Sequence, residues 1–265
     1  MILKKRITIA VLIAFMTQSF SAHAQATNAD PHVYLLSTFK EGEQSGLNFA
    51  YNFEGYHWSA APILFLKAHV DGKIMRDPSI SRRTDGTWHL VWTAAWKSNK
   101  GCGYAYSKNL VHWCEQKFTP IMEHDQTACS VWSPDIFHDA KENQFLICWA
   151  STIPSRFHDH LEPITNNLRM YFIMTLNFNT LTPTKLFLDP DLYVINRHIL
   201  KTGGVGPGTG ALLKFWCSKT TIVPGAMSAL GYKPLPPWRD IPTNLTDKFT
   251  EGRSALKICD DCLIY

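Results

Sequence analysis

The sequence predicts an all-β fold, a five-bladed β-propeller whose last blade is incomplete, and three observations carry that expectation. The first is a repeated opening. Residues Arg76-Asp77-Pro78-Ser79-Ile80 lead through a turn at Asp85-Gly86 into the apolar run 88–92, and Ser133-Pro134-Asp135-Ile136 leads through 141–143 into the apolar run 145–149, so that Ile80 and Ile136 hold matching places. The second is a repeated close: Phe49-Ala50-Tyr51 before His57-Trp58 matches Tyr104-Ala105-Tyr106 before His112-Trp113, and Trp58 and Trp113 keep almost the same separation as the openings. The third is the length of the unit. A pitch of roughly 55 residues, filled with short strands and few helix signals, exceeds the common helical solenoid repeats and suits a four-stranded propeller blade.

Taken in order, residues 1–24 have the make-up of a secretory leader. Lys4, Lys5 and Arg6 precede an apolar run over 7–16, and Ala22-His23-Ala24 offers a small-residue cleavage site. The apolar run is too short to span a bilayer, so export is expected, to the periplasm or the medium, with residues 25–265 forming a single propeller domain. A strand over 33–37 follows. Ser37 precedes Thr93 by one pitch, which makes this strand the counterpart of a second blade strand and leaves the first blade without an opening strand of its own. Closed propellers complete such a blade from the far end of the chain, so the closing strand is expected beyond residue 265.

Units are expected at 74–120 and 131–188, with weaker openings at Ile195-Asn196-Arg197-His198-Ile199 and Glu251-Gly252-Arg253-Ser254. Between them, residues 202–228 show no strand alternation. Their glycine-rich stretch, 203–210, lacks the Gly-Lys-Ser/Thr ending and the following helix of a phosphate-binding loop. A blade-closing turn is expected over 232–241. The last unit is expected to open at 249–252 and to break off in its second strand, a truncation.

Hydrophobic residues make up 45% of the chain, enough for a substantial core. Three of the positive charges behind the net +4 lie in the leader, which leaves +1 on the remainder and argues against a nucleic-acid or anionic-membrane partner. The seven cysteines are odd in number and form no compact disulfide framework. Cys148 falls inside an apolar strand pattern and is expected to be a buried small hydrophobe. Cys259 and Cys262 have C-x-x-C spacing without a second pair or a nearby histidine to complete a zinc site, and are expected to be turn residues.

In a propeller the inner strands line a central channel, so polar residues heading those strands converge on the axis. The candidates are Asp77, Asp135, Asn196 and Glu251. Two carboxyl groups facing one another, one ionised and one protonated, are what glycosidic hydrolysis requires. Asp before Pro is also a common turn opener, and Glu251 before Gly252 also suits a solvated loop.

The segments 76–80, 103–113, Trp132-Ser133-Pro134-Asp135-Ile136 and Thr250-Glu251-Gly252 together resemble the motifs of family 43 glycoside hydrolases, well over 33–195 and fairly over 231–265. The resemblance implies a five-bladed propeller that hydrolyses arabinofuranosyl, xylosyl or related plant-polysaccharide linkages with inversion. It implies Asp77 as general base and Glu251 as general acid, with Trp132 and Asp135 lining the sugar pocket. Trp96 and Arg156, just past their strands, are further candidates for the pocket rim.

Three departures accompany the resemblance. Asn196 stands where the family's pKa-modulating aspartate is expected, and an amide brings no charge to hold the acid's pKa up. Arg253 replaces the proline after Glu251-Gly252 and favours the ionised acid. The third is the divergent 202–228 together with the early end of the chain. A second reading is therefore an impaired propeller that at most binds carbohydrate. A retaining fructan hydrolase, which shares an Arg-Asp-Pro motif, ranks below both because no W-M-N-D-P-N-G segment occurs near the start. No cofactor is expected. The family implies at most a structural calcium ion in the channel, for which no ligand set stands out. The expected partner is an oligo- or polysaccharide, and the expected state is a monomer.

Overall fold

Strands in this protein are short and antiparallel, and they come in runs of four along the chain. The computed structural model describes residues 33–154, 156–157, 167–188, 194–201, 212–219, 224–231, 239–241, 255–258 and 261–264. The leader, Glu251 and the glycine-rich stretch lie outside the described residues, as does Cys259. The first sheet holds β1 (Tyr34–Thr38), β2 (Gly46–Asn52), β3 (Ser59–Ala60) and β4 (Leu66–Lys67). The second runs β5 (Arg76–Arg82), β6 (Trp88–Thr93), β7 (Gly101–Ser107) and β8 (Lys117–Pro120) in sequence order. The third repeats this with β9 (Trp132–Asp139), β10 (Gln144–Ser151), β11 (Arg169–Thr175) and β12 (Lys185–Leu188). The fourth has β13 (Val194–Lys201), β14 (Leu212–Lys219), β15 (Pro224–Gly231) and β16 (Arg239–Ile241), and the fifth has β17 (Ala255–Ile258) paired with β18 (Asp261–Ile264).

The five sheets stand around a common axis. The first strands of successive sheets lie side by side, β5 against β9, β9 against β13 and β13 against β17, with β1 beside β5. This is the five-bladed propeller. The first four sheets pack face against face, and the apolar clusters sit in these gaps. Phe49, Leu90, Trp92 and Ala105 fill the space between the first and second sheets. Val91, Tyr104, Ile136, Phe145, Ile147 and Trp149 fill the second gap, and Leu146, Met170, Phe172, Val194 and Ile199 fill the third. Cys148 is fully buried there, as an apolar strand residue should be.

The same turn closes three blades. Ser107 Oγ accepts from the amides of Asn109 and Leu110 and donates to His112 O at 2.7 Å; Thr175 Oγ1 does the same with Asn177, Phe178 and Thr180 O at 2.7 Å. In the first blade Asn52 Oδ1 takes the amides of Glu54 and Gly55. Gly55, Leu110 and Phe178, each third after the capping residue, all have positive φ, which explains why the closing halves match in sequence.

Three expectations need correction. Cys262, expected in a turn, lies in β18 opposite Lys257. Ser37 pairs with Phe49 as Val91 pairs with Tyr104, so β1 does correspond to β6, but the counterpart of Ser37 is Val91 and not Thr93, because the first blade has a shorter connection. Within 202–228, read as lacking strand order, Leu212–Lys219 forms β14, which pairs antiparallel with β15 from Pro224 onward. The run Leu212-Leu213-Lys214-Phe215-Trp216-Cys217 belongs to an interior strand of its sheet. Strands flanked on both sides read as near-continuous apolar runs without a period of two.

One glycine is fixed by a close approach. Gly103 pairs with Trp92 across β6–β7, and a Cβ there would meet Trp92 Cε2 at 2.0 Å. Trp92 is fully buried and has no room to yield. Gly103→Ala is expected to destabilise the fold by about 1–3 kcal/mol, read as a lower denaturation midpoint; an unchanged midpoint would show that the Trp92 packing is not the constraint described.

Candidate active site

A peptide unit with positive φ inside a strand is costly for any residue but glycine, least so for Asp and Asn. Here the cost recurs at one structural position. In β5 the pairing with β6 slips by one residue between Arg76 and Ser79; in β9 it slips against Cys148 and Ala150 of β10, and in β13 between Ile195 and Arg197. The residues inside these bulges are Asp77 (φ 47°), Ser133 (φ 48°) and Asn196 (φ 55°). Each bulge sits at the head of an innermost strand and turns one side chain out of the alternation. Asp77 and Asn196 thus occupy matching places on sheets two and four, and Ser133 takes that place on sheet three.

Asp77 is partly exposed, and its carboxylate is held from two sheets. Thr93 Oγ1 donates to Asp77 Oδ2 at 3.2 Å, and the Ser133 side chain nearby also favours its charged form. Thr93 Oγ1 in turn accepts the Ser133 amide at 2.9 Å. Burial pushes the Asp77 carboxyl above its ordinary value, opposed by the Arg76 guanidinium and by these two side chains, and aided by Glu41. A carboxylate with raised proton affinity is suited to take a proton from water.

Beside it stands an aromatic corner. Arg76 lies between Phe39 (4.7 Å) and Trp96 (4.2 Å) and is held by Glu41 Oε1 at 2.5 Å. Trp96 meets Trp132 edge to face, with centroids 6.3 Å apart at 82°, and Trp132 Nε1 donates to Trp96 O at 3.1 Å. The two tryptophans wall a cleft of about 720 Å³ that also draws on Ser98, Gln126, Ser130 and Thr152. Trp96 is 47% exposed there. An exposed indole face next to amide and hydroxyl groups can stack on a sugar ring and bond its hydroxyls. Arg156 stands apart from this wall, near Asp125 Oδ2 at 3.7 Å and close to the rings of Phe157 and Tyr171.

Asp135, expected to line the sugar pocket, is largely enclosed. It is 6% exposed, accepts from Ser79 Oγ at 2.7 Å, and lies 3.5 Å from His198 Nδ1 and 3.9 Å from Arg197 Nη1. Those partners come from β5 and β13, so the carboxylate sits where three sheets meet, with Oδ1 bonded to Ser79. The repeat itself contained the signal: Ser133, not Asp135, stands one full pitch after Asp77. Charge drew attention to Asp135, whereas Ser133 and Thr93, which hold Asp77, carried no such mark. Asn196 Oδ1 is buried without a hydrogen-bond partner among the described residues.

Among the described residues no three or more His, Cys, Asp or Glu side chains gather as a metal's ligands.

Comparison with known proteins follows the same line. A family model described as a probable glycosyl hydrolase domain, of the family-43-related type, matches residues 30–206. Among solved structures, an endo-arabinase from Bacteroides thetaiotaomicron aligns at 14% identity and a TM-score of 0.62, covering 88% of this chain and 83% of that one. A thermostable family-43 glycoside hydrolase aligns at 14% identity and 0.58, covering 82% and 70%. An endo-1,4-β-xylanase from Bacteroides thetaiotaomicron aligns at 11% and 0.57, covering 80% and 69%. At these identities the likeness is one of fold. No curated protein matches the chain.

The raised proton affinity of Asp77 has a consequence for stability. A carboxyl whose folded pKa lies above its unfolded one loses stability as the pH rises from the unfolded value through the folded one, and costs nothing when both states are protonated. Asp77→Asn, which keeps a residue type tolerant of positive φ, is expected to be at least as stable as the parent at pH 7. Its advantage should shrink as the pH falls below the ordinary carboxylate range. Melting temperatures measured from pH 3 to pH 8 check this; an advantage greatest at low pH would contradict it.

Proposed function

The chain belongs to the family of probable glycosyl hydrolase domains related to family 43, and on that premise we propose that it is an exported enzyme cleaving arabinofuranosyl or xylosyl linkages of plant-type polysaccharides with inversion. The observation that carries this reading is Asp77, a carboxylate of raised proton affinity turned out of an inner strand by a left-handed bulge and held by Thr93 and Ser133. In the proposed reaction Asp77 accepts a proton from the water that attacks the anomeric carbon. Glu251 protonates the departing oxygen from the opposite side. The sugar stacks on the corner formed by Trp96 and Trp132. Two carboxyl groups suffice for this chemistry, so no cofactor is called on. The arabinose and xylose preference is supported by the activities of the structurally similar endo-arabinase and endo-1,4-β-xylanase, and export by the leader at 1–24.

A second reading is favoured by one specific observation. Asn196 occupies the bulge that matches Asp77's, where the family pattern calls for an aspartate. Without that charge the acid is less readily kept protonated, and the propeller would bind glycans without turning them over.

Chromogenic arabinofuranoside and xyloside separate the two readings. The enzyme reading expects turnover that falls by about 10²–10⁴-fold in Asp77→Asn and in Glu251→Gln. Turnover unchanged in Asp77→Asn removes it as the base. No turnover in the parent, together with binding of xylo- or arabino-oligosaccharide measured by calorimetry, would establish the binding reading.

A further inference from the structure

We propose that Thr93 is a positioning residue, its hydroxyl donating to Asp77 Oδ2 so as to fix the direction in which that carboxylate faces the channel. The inference rests on the reading of Asp77 as the base.

A threonine hydroxyl has one proton to give. Thr93 Oγ1 accepts the Ser133 amide from β9 at 2.9 Å, which orients the oxygen, and its proton is directed to Asp77 Oδ2 at 3.2 Å. The carboxylate is thereby referenced to the neighbouring sheet as well as to its own. Thr93 is 1% exposed, so water does not compete for the hydroxyl.

The molecule supplies its own control. Thr93 pairs with Arg76, the residue before the first bulge. The same place beside the second bulge, opposite Trp132, is held by Ala150, and beside the third, opposite Ile195, by Cys217. The bulge therefore forms without a hydroxyl at this position. Of the three, only the one facing Asp77 carries a hydroxyl. The other side chains acting on Asp77 are Arg76 on its own strand, Glu41 from the segment after β1, and Ser133. Arg76 is already held by Glu41 and stacked on Trp96, which leaves the hydroxyl groups to set the orientation.

The test follows the Asp77 carboxyl directly, by its ¹³C resonance as a function of pH, in the parent and in Thr93→Ser, Thr93→Val and Thr93→Ala. The precedent of Ala150 makes the alanine variant compatible with the fold if valine is not. Loss of a hydrogen bond to the charged form is expected to raise the Asp77 midpoint by about one pH unit or more in the valine and alanine variants. Serine should keep it within a few tenths of a unit. The acid limb of kcat/KM should move by the same amount. A merely structural threonine would alter melting temperature and leave the titration in place, and an Asp77 midpoint equal to the parent's in both variants overturns the proposal. If the midpoint moves while Asp77→Asn retains full turnover, the tie to Thr93 stands and the assignment of Asp77 as base falls.

Discussion

The structure depends on a one-residue slip at the head of three inner strands, β5, β9 and β13. A regular strand alternates its side chains between faces, and in a propeller those faces are the buried gaps between blades. An unbroken strand would therefore commit every side chain to a gap. The bulge breaks this pattern by holding one residue in left-handed conformation, at a cost of about 1–3 kcal/mol per position. The cost recurs at Asp77, Ser133 and Asn196, and what the first of these gains is a carboxylate freed from the packing.

Such strain persists only where the surroundings over-determine it, and here the neighbouring blade supplies the constraint. The ties run from sheet to sheet. Ser37 Oγ donates to Pro78 O at 2.6 Å, Thr93 joins Asp77 to Ser133, and Ser79, Asp135 and His198 form a polar line two residues past the three bulges. The apolar clusters then fill the gaps outside this polar inner ring. Position in the ring decides role: Asp135 and Asp77 are both inner-strand aspartates, yet a small offset in register turns one into a tie between blades and leaves the other partly exposed.

Much of this was legible in the sequence because the repeat is one of backbone geometry. The near-constant pitch, the matching turns and the two middle units follow from residues that turns demand, and Asp77 could be singled out because Asp-Pro heads an inner strand. Three things were not legible. The pair β14–β15 was hidden because Leu212–Cys217, apolar but for Lys214, lacks alternation. The contacts of Asp135 with its neighbouring blades were not anticipated, although Ser79 and Asp135 are the residues that match. The hydroxyls of Thr93 and Ser133 gave no signal, since their importance lies in which oxygen each one reaches.

If Asp77 activates a water from the face opposite the departing sugar, the hydroxyl that replaces the leaving group must arrive with inverted configuration at the anomeric carbon. ¹H NMR of the first-formed product, recorded before mutarotation, reads this directly. The account predicts that the inverted anomer appears first; initial formation of the retained anomer would require a covalent intermediate and would contradict it.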